Sequence, residues 1–397
     1  MVLLEFKDLE FIDEKERVKI LFLRHFYFYI DKVTLLKIGP LKVHKHALEF
    51  DSSEKRALKF YELLDYGLNN LKNKITGKPT VYLHKGCGIP LIGNGSFGIV
   101  DRGSNLIEIK PVCGCNISCI YCSVDQDKRG VDFVIEKDYL VQELRKVVAI
   151  KKNEVEIHIG CHGEPLLYAP LSELIASVRE IPNVVRVSMD TNATLITKDV
   201  ADSLINSGMT RFNISINASS DENAVKIAGG PYSLKHVMNI AEYISKKNVS
   251  LTIAPVWLKG INDSDIEELV KFGKRIGADI GIQNFLGYQF GKNPVKEVPM
   301  EDFIENLKAL EKKYDVKLVL KASDFSIKDD VLYPKVFDKG EVVEATLVCV
   351  GRFPGEKIGV AKDRTISVFE CNKAIGSRVK IKLTRSKHNI YSGSLVR

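Results

Sequence analysis

The chain has 397 residues, of which 45% are hydrophobic and 27% are charged, and its formal net charge is +7. That length suits two or three domains, and the composition excludes a disordered or collagen-like protein. No apolar run is long enough to cross a bilayer, and the segment after Met1 contains acidic residues where a signal peptide would need a basic start. We therefore expect a cytoplasmic protein with no membrane partner, whose eight cysteines do not form a disulfide framework and remain free for metals or chemistry.

Residues 1–98 predict a small α+β extension. Short apolar runs at residues 18–23 and 33–38 alternate with one amphipathic stretch, residues 54–73, whose apolar spacing fits a helix. The segment 86–98 is rich in glycine and has no period, so we expect a loop that leads into the next domain.

Residues 99–335 alternate short apolar strands with amphipathic helices. The predicted strands are residues 106–109, 154–159, 185–190, 211–216, 250–256, 279–283 and 317–320. The predicted helices are residues 137–150, 170–179, 198–206, 233–246, 264–276 and 300–314. Such regular alternation predicts an α/β domain with a parallel sheet, closed or partly closed into a barrel, whose chemistry lies at the carboxyl ends of the strands.

Residues 338–397 change to strand-like runs separated by glycine turns, which predicts a small β-barrel. The runs are residues 341–350, 357–361, 365–368, 378–383 and 389–396. This segment carries twelve basic and six acidic residues, so nearly all the excess positive charge of the chain lies here. The charge suits a phosphate backbone, and Phe353, Phe369 and Tyr391 could stack on unpaired bases. A basic barrel that only packs on the catalytic domain is the alternative.

Three cysteines with the spacing CxxxCxxC, Cys115, Cys119 and Cys122, follow the first strand of the predicted barrel. Three thiolates at this spacing can hold a cubane 4Fe-4S cluster and leave one iron without a protein ligand. A structural zinc site would need a fourth ligand, and a ferredoxin would need a fourth cysteine. The other five cysteines are expected to be structural thiols: Cys87, Cys113, Cys161, Cys349 and Cys371.

The cysteine motif, with the aromatic Tyr121 before its last cysteine, resembles the signature of the radical S-adenosylmethionine (SAM) superfamily. The resemblance implies that the three cysteines are metal ligands and catalytic, that the open iron binds SAM, and that Tyr121 packs near the adenine. Reductive cleavage of SAM would then give methionine and a 5'-deoxyadenosyl radical that abstracts hydrogen from the substrate. This chemistry implies a low-potential electron donor such as ferredoxin or flavodoxin.

The segment Gly160-Cys-His-Gly-Glu-Pro, after the second predicted strand, resembles the Gly-Gly-Glu-Pro motif of the same superfamily. There the backbone and the carboxylate receive the amino group of SAM, which implies this role for Gly163 and Glu164. His162 replaces the first glycine and is expected to add a side chain to the pocket.

The later strands of the predicted barrel also end in polar residues. The third resembles the Thr-Asn-Gly segment of molybdenum-cofactor-type members, and the fifth resembles their Pro-Gly-Asn-Asp turn. In the fourth, the strand period of two places three polar residues on one face. The SAM-binding residues expected from the third to sixth strands are Ser188, Asp190, Asn192, Asn213, Ser215, Asn217, Val256 and Gln283.

The fold class implied is a partial (βα)6 TIM-type radical SAM barrel between an N-terminal α+β extension and a C-terminal OB-like barrel. Residues 341–361 resemble the TRAM RNA-binding domain, which implies RNA, tRNA above all, as substrate and partner. The whole layout also resembles uncharacterised archaeal Fe-S oxidoreductases. Two alternatives stay open: a radical SAM enzyme for a peptide, lipid precursor or small metabolite with the barrel as a docking module, and a non-enzymatic Fe-S or zinc protein.

Overall fold

The N-terminal segment forms two small antiparallel sheets and three short helices in the computed structural model, which describes residues 1–396. Its elements are β1 (Val2–Glu5), β2 (Leu9–Asp13), β3 (Arg17–Phe22), β4 (Phe26–Asp31), α1 (Lys32–Leu36), β5 (Leu41–His44), β6 (Ala47–Phe50), α2 (Glu54–Ala57), α3 (Phe60–Leu68) and β7 (Lys72–Asn73). The strand order is β1-β6-β5 in one sheet and β2-β3-β4-β7 in the other.

One N-terminal prediction needs correction. The single helix predicted over residues 54–73 is two helices followed by the short strand β7. Ala57 of α2 and Phe60 of α3 are both fully buried. The apolar run 33–38, for which no element type was predicted, lies largely in helix α1. The glycine-rich segment 86–98 is a loop apart from one 3-10 turn, as predicted.

The middle of the chain builds a seven-stranded sheet. The strands in this part of the chain are β8 (Thr80–Leu83), β9 (Gly98–Asp101), β10 (Leu106–Lys110), β11 (Asp132–Ile135), β12 (Val155–Ile159), β13 (Val184–Thr191), β14 (Arg211–Ile214), β15 (Ser250–Ile253), β16 (Val256–Trp257), β17 (Asp279–Ile280) and β18 (Gln283–Asn284). The sheet order is β17-β15-β14-β13-β12-β10-β9, in which β10 to β17 are parallel and β9 is an antiparallel edge. Because these six strands are parallel, their carboxyl ends lie at one edge of the sheet, as in a partly closed barrel.

Helices follow the parallel strands. They are α4 (Lys137–Val148), α5 (Leu171–Arg179), α6 (Lys198–Asn206), α7 (Asp221–Ala228), α8 (Leu234–Ile244), α9 (Asp263–Ile276) and α10 (Met300–Tyr314). Apolar residues recur at helical spacing, so that α4 buries Leu140, Leu144 and Val148 on one face. All six predicted helices are present, and α7 is an addition that begins at the capping Ser220 and ends at Gly229. Within residues 1–396, no helix is long and apolar enough to span a membrane.

The predicted seventh strand, residues 317–320, is wrong, because this segment pairs with no strand. The Glu311 carboxylate instead accepts hydrogen bonds from the backbone N–H groups of Leu318 (2.7 Å) and Val319 (2.9 Å). These two N–H groups therefore have partners without pairing to a neighbouring strand. Two other predicted strands are each split in two. Residues 250–256 break at Pro255, which has no N–H to give to a ladder, and residues 279–283 end one short strand and begin another.

The C-terminal segment is a closed barrel with the strand order β19-β20-β21-β23-β22. Its strands are β19 (Val342–Val350), β20 (Lys357–Ala361), β21 (Arg364–Val368), β22 (Arg378–Arg385) and β23 (Ser392–Leu395), which confirms all five predicted runs. Along β22, Ile381 and Leu383 point into the core while Lys380 and Lys382 are exposed. Tyr391 is fully buried and its hydroxyl donates to Asn389 Oδ1 (2.6 Å), so the prediction that it is available for stacking is wrong.

Candidate active site

The cysteine motif lies in the loop between β10 and β11, at the carboxyl edge of the sheet. Its backbone is fixed against the end of α7, because Ser118 N–H donates to Ala228 O (3.0 Å) and Ile120 N–H donates to Ile227 O (3.0 Å). A side chain at Gly229 would collide with the Ser118 carbonyl, so this contact requires glycine. The unpredicted helix α7 therefore forms the support of the cysteine loop.

The three thiols of the motif are free and half-buried. Burial and the neighbouring Cys122 raise the pKa of Cys119 to about 12. Burial, Glu164 and the other two thiols raise the pKa of Cys115. Three thiolates this close repel one another, so a positively charged metal centre is the group that would hold them deprotonated.

Two side-chain amides contact these sulfur atoms. The amide of Asn192 donates to Cys115 Sγ (3.8 Å) and that of Gln126 donates to Cys122 Sγ (3.8 Å), as thiolate ligands of Fe-S clusters are commonly bonded. Among residues 1–396, no three His, Cys, Asp or Glu side chains are positioned to hold a metal ion. Cys113 faces the core and its Sγ accepts the Phe133 N–H (3.0 Å), consistent with the bystander role expected from the sequence.

The Gly163-Glu164 segment is joined directly to the cysteine loop. Gly163 forms a parallel bridge with Gly114, and Glu164 N–H donates to Gly114 O (2.8 Å). The Glu164 carboxylate is 1% exposed and accepts hydrogen bonds from the Thr191 hydroxyl (2.7 Å) and the Asn192 N–H (2.9 Å). Burial raises the pKa of Glu164 to about 7 despite these donors. The carboxyl ends of β12 and β13 thus meet beside Cys115.

A small cavity gathers several predicted SAM-binding residues next to the motif. Its polar and aromatic lining includes Cys119, Tyr121, Asn192, Ser215 and Asn217. The amide of Asn217 donates to the Tyr121 hydroxyl (2.8 Å), and its carbonyl oxygen accepts the Val256 N–H (2.8 Å). Residues from the cysteine loop, β13, the segment after β14 and β16 therefore converge, as the strand-end argument predicted.

The other predicted residues lie together in the barrel interior. Ser188 is fully buried and contacts His158 Nδ1 (2.9 Å), while Asp190 contacts His158 Nε2 (3.1 Å) and accepts the Asn213 amide (2.8 Å). Asp190, Asn213 and Gln283 line a cavity of about 510 Å³ that His158 also lines. Burial lowers the pKa of His158, but the charge and hydrogen bond of Asp190 together with the charges of Glu108 and Glu156 raise the pKa overall.

Neither His158 nor its charged neighbour Glu156 was singled out in the sequence analysis. Glu156 accepts hydrogen bonds from Ser188 (2.6 Å) and Arg186 (3.3 Å) and also contacts Arg211. The available signal was spacing, since β12, β13 and β14 each carry polar residues two apart, and a period of two places them on one face of the sheet.

The C-terminal barrel packs against the cysteine loop. Gly130 N–H donates to Arg352 O (2.6 Å), and the Arg352 side chain, which is 0% exposed, reaches Asp132 (3.4 Å) and Gln126 (3.4 Å). It also donates to the carbonyl of His162, beside Gly163. One residue of the barrel thus touches both segments that surround the cysteines.

Residues 109–273 match the family model of the Radical SAM superfamily. An uncharacterized protein of Methanocaldococcus jannaschii is 35% identical over 371 residues, covering 84% of this chain and 85% of that protein. A GTP 3',8-cyclase of Listeria welshimeri is 27% identical over 223 residues, covering 54% of this chain and 64% of the cyclase.

Similar solved structures are more distant. One is TYW1 with a lysine-pyruvate adduct bound, with a TM-score of 0.43 and 19% identity, covering 57% of this chain and 80% of that chain. Another is Streptococcus suis SuiB bound to the precursor peptide SuiA, with a TM-score of 0.44 and 16% identity, covering 80% of this chain and 72% of that chain. From the match over residues 109–273 and the relative aligned along most of its length, it follows that this chain belongs to the radical SAM superfamily, whose enzymes use a 4Fe-4S cluster and SAM.

Proposed function

We propose that this protein is a radical SAM enzyme that modifies RNA, tRNA above all, and that Cys115, Cys119 and Cys122 ligate its cluster. This ligand set is supported by two observations: the three thiols are half-buried, and the amides of Asn192 and Gln126 donate hydrogen bonds to two of their sulfur atoms. A reduced cluster supplies the electron that cleaves SAM to methionine and a 5'-deoxyadenosyl radical, and the electron would come from a ferredoxin or flavodoxin.

The chain's own residues would bind and orient SAM around the cysteine loop. We assign the amino group to Glu164, whose carboxylate is held by the Thr191 hydroxyl and the Asn192 N–H. Tyr121 would pack near the adenine, and its hydroxyl is fixed by the Asn217 amide. The remaining residues proposed to border SAM at this end are Gly163, Asn192, Ser215 and Val256.

The residues in the barrel interior have a second proposed role. Asp190, Asn213 and Gln283 line the 510 Å³ cavity and would contact the far end of SAM or the reacting part of the substrate. Ser188 is fully buried, so it would act by holding the His158 ring in place. A cavity whose polar groups are already oriented keeps water from competing with the substrate.

The observation that carries the RNA assignment is the position of the basic barrel beside the cysteine loop. Phe353 of the barrel stacks on Phe290 with ring centroids 4.2 Å apart, next to Asp125, whose N–H donates to Phe290 O (2.7 Å). Exposed basic residues of β22 lie on the outer surface of the same barrel: Arg378, Lys380, Lys382 and Arg385. A polyanion bound there would be held close to the site of SAM cleavage, as the predicted TRAM-like role requires.

One experiment tests both parts of the proposal. Anaerobically reconstituted protein is given dithionite and SAM, and 5'-deoxyadenosine is measured, while binding of bulk tRNA is followed by filter retention over a salt series. We expect wild-type protein to form 5'-deoxyadenosine and Cys119→Ala to form none, with tRNA affinity unchanged by that substitution. The affinity should fall steeply with salt, because each phosphate contact releases about one counterion.

The two parts of the proposal can fail separately. If wild-type protein cleaves SAM but shows no salt-dependent binding of tRNA, the RNA assignment is wrong and a peptide, lipid precursor or small metabolite becomes the substrate class. If Cys119→Ala cleaves SAM as wild-type protein does, the cysteine ligand set is wrong.

A further inference from the structure

A cavity of about 880 Å³ lies between the radical SAM domain and the C-terminal barrel. Ser123 and Val124, which follow Cys122 directly, form part of its wall, and so do Cys161 and His162. The C-terminal barrel contributes Phe353, Phe369 and Arg385. Asp190 and Gln283 line this cavity and also the 510 Å³ cavity inside the radical SAM domain, so the two cavities adjoin. The volume lies in the range of specific ligand sites, roughly 300–1,000 Å³.

One wall of this interdomain cavity is aromatic. The Phe290 ring stacks with the rings of Phe353 and Phe369, whose centroids are 4.2 Å and 5.5 Å away and whose planes are inclined by 19° and 22°. Tyr288 belongs to the same lining and is 46% exposed. Three half-buried rings in near-parallel planes, drawn from both domains, form a surface on which another flat ring can stack.

Charged side chains of both signs line the cavity: the cations are Arg102, Lys110 and Arg385, and the carboxylates are Glu108, Asp190 and Glu356. Arg102 is paired with Glu108 (3.0 Å), whereas Arg385 is exposed and makes no ion pair within residues 1–396. An unpaired arginine at the rim of an aromatic cavity suits an anionic group such as a phosphate.

His162 supplies a polar group that lacks a partner. Its Nδ1 is buried and has no hydrogen-bond partner in the described part of the chain. Burial and the nearby charges of Lys110, Arg352 and Arg102 hold the pKa of His162 well below its usual range. The ring is therefore neutral and offers one donor and one acceptor. Leaving a buried ring nitrogen unpaired costs free energy that a ligand's hydrogen bond would recover.

We propose that the interdomain cavity binds a single unpaired nucleotide of the RNA, with its base stacked on an open face of the aromatic wall formed by Phe290, Phe353 and Phe369, its edge bonded to His162 and its phosphate at Arg385. This inference rests on the proposed function and assigns where its substrate binds. Aromatic surface, an unpaired polar group and a free cation together match a nucleotide, whereas an apolar peptide side chain or a lipid chain would leave His162 and Arg385 unpaired.

The test combines tRNA binding with base selectivity in full-length protein. Arg385→Gln removes the free cation, and Arg145→Gln, an exposed arginine of α4 outside the cavity, is the matched control. We expect Arg385→Gln to weaken tRNA binding several-fold at low salt and to reduce the slope of log affinity against log salt by about one, while Arg145→Gln changes neither. Arg385 is exposed, so this variant is expected to fold.

A second measurement examines His162. Short single-stranded oligoribonucleotides of each base compete with tRNA for binding to wild-type protein and to His162→Gly. We expect wild-type protein to prefer one base by about tenfold and the variant to lose that preference, because the base edge no longer finds its hydrogen bond. Ultraviolet crosslinking of bound tRNA should also join a nucleotide to the peptide that contains Tyr288 and Phe290.

The outcomes separate the inference from the proposed function. If wild-type protein binds no tRNA, the proposed function fails and this inference with it. If wild-type protein binds tRNA, but Arg385→Gln behaves as Arg145→Gln does and His162→Gly keeps the base preference, then the RNA lies elsewhere and only the inference is overturned.

Discussion

Gly163 sits where the backbone of the cysteine loop leaves no room for a side chain. A Cβ at this position would collide with the nitrogen and the carbonyl oxygen of Gly114. We expect Gly163→Ala to push the loop away, to lower the free energy of unfolding by about 2 kcal/mol and to reduce the iron bound after reconstitution. Thermal unfolding and iron analysis measure these effects. Gly230→Ala is the control because open space surrounds that position, and a Gly163→Ala protein with wild-type iron content would contradict the prediction.

For single residues, the sequence predicts those functional groups whose members lie close together along the chain. The cysteine motif and the Gly163-Glu164 segment are each continuous in sequence, and the structure joins them through Gly114. His158 was missed because its role depends on Ser188 and Asp190, which are brought to it from the neighbouring strand β13. Likewise, no local pattern shows that His162 Nδ1 would be buried without a partner.

Between elements, Asp330 fastens the segment after α10 to the turn before β12. Its carboxylate accepts the N–H groups of Lys152 (3.0 Å) and Asn153 (2.9 Å). Burial raises its pKa, but these hydrogen bonds, together with those from the Val331 N–H and the Asn153 side chain, lower the pKa from 3.8 to about 2. The ionised carboxylate therefore stabilises the fold above pH 4, and this contribution is lost as the pH falls from about 4 to about 2.

We expect Asp330→Asn to lower the free energy of unfolding by about 1 kcal/mol at pH 7 and by progressively less below pH 4. Asp329→Asn is the control, since that carboxylate accepts no such hydrogen bonds. Thermal unfolding at pH 7, 4 and 3 measures the difference between the variants. If the loss of unfolding free energy in Asp330→Asn stays constant down to pH 3, the charge of Asp330 is not the source of that loss.

Helices and strands with a regular spacing of apolar residues were predicted well. Segments whose structure depends on hydrogen bonds to distant side chains were not. The helices α6 and α10 have the predicted ends because their apolar spacing and flanking residues agree. Residues 317–320 are as apolar as a strand, yet the Glu311 carboxylate occupies their N–H groups. The helix α7 was missed because it is only eight residues long, although its capping Ser220, its two acidic first-turn residues and its terminal Gly229 are visible in the sequence.

At the scale of the molecule, the basic barrel was predicted as a separate nucleic-acid module, and the structure shows that it also forms part of the candidate site. Charge and strand pattern are properties of the barrel alone, so the sequence could predict them. That Arg352 enters the other domain, and that Phe353 stacks on Phe290, depends on how two surfaces fit, which no pattern within either segment encodes. The interdomain cavity was unpredictable for the same reason.

Arg352 therefore provides a test of whether the barrel and the cysteine loop act as one unit. Arg352→Met would leave the carbonyl of His162 and the side chain of Gln126 without their donor, and the Gln126 amide bonds Cys122 Sγ. We expect a loss of about 3 kcal/mol in stability and faster loss of iron in air, because a buried charge and its partners are separated. Arg378→Met, an exposed barrel arginine, should change neither thermal unfolding nor iron retention. If Arg352→Met retains iron as long as Arg378→Met does, the barrel does not support the cysteine loop.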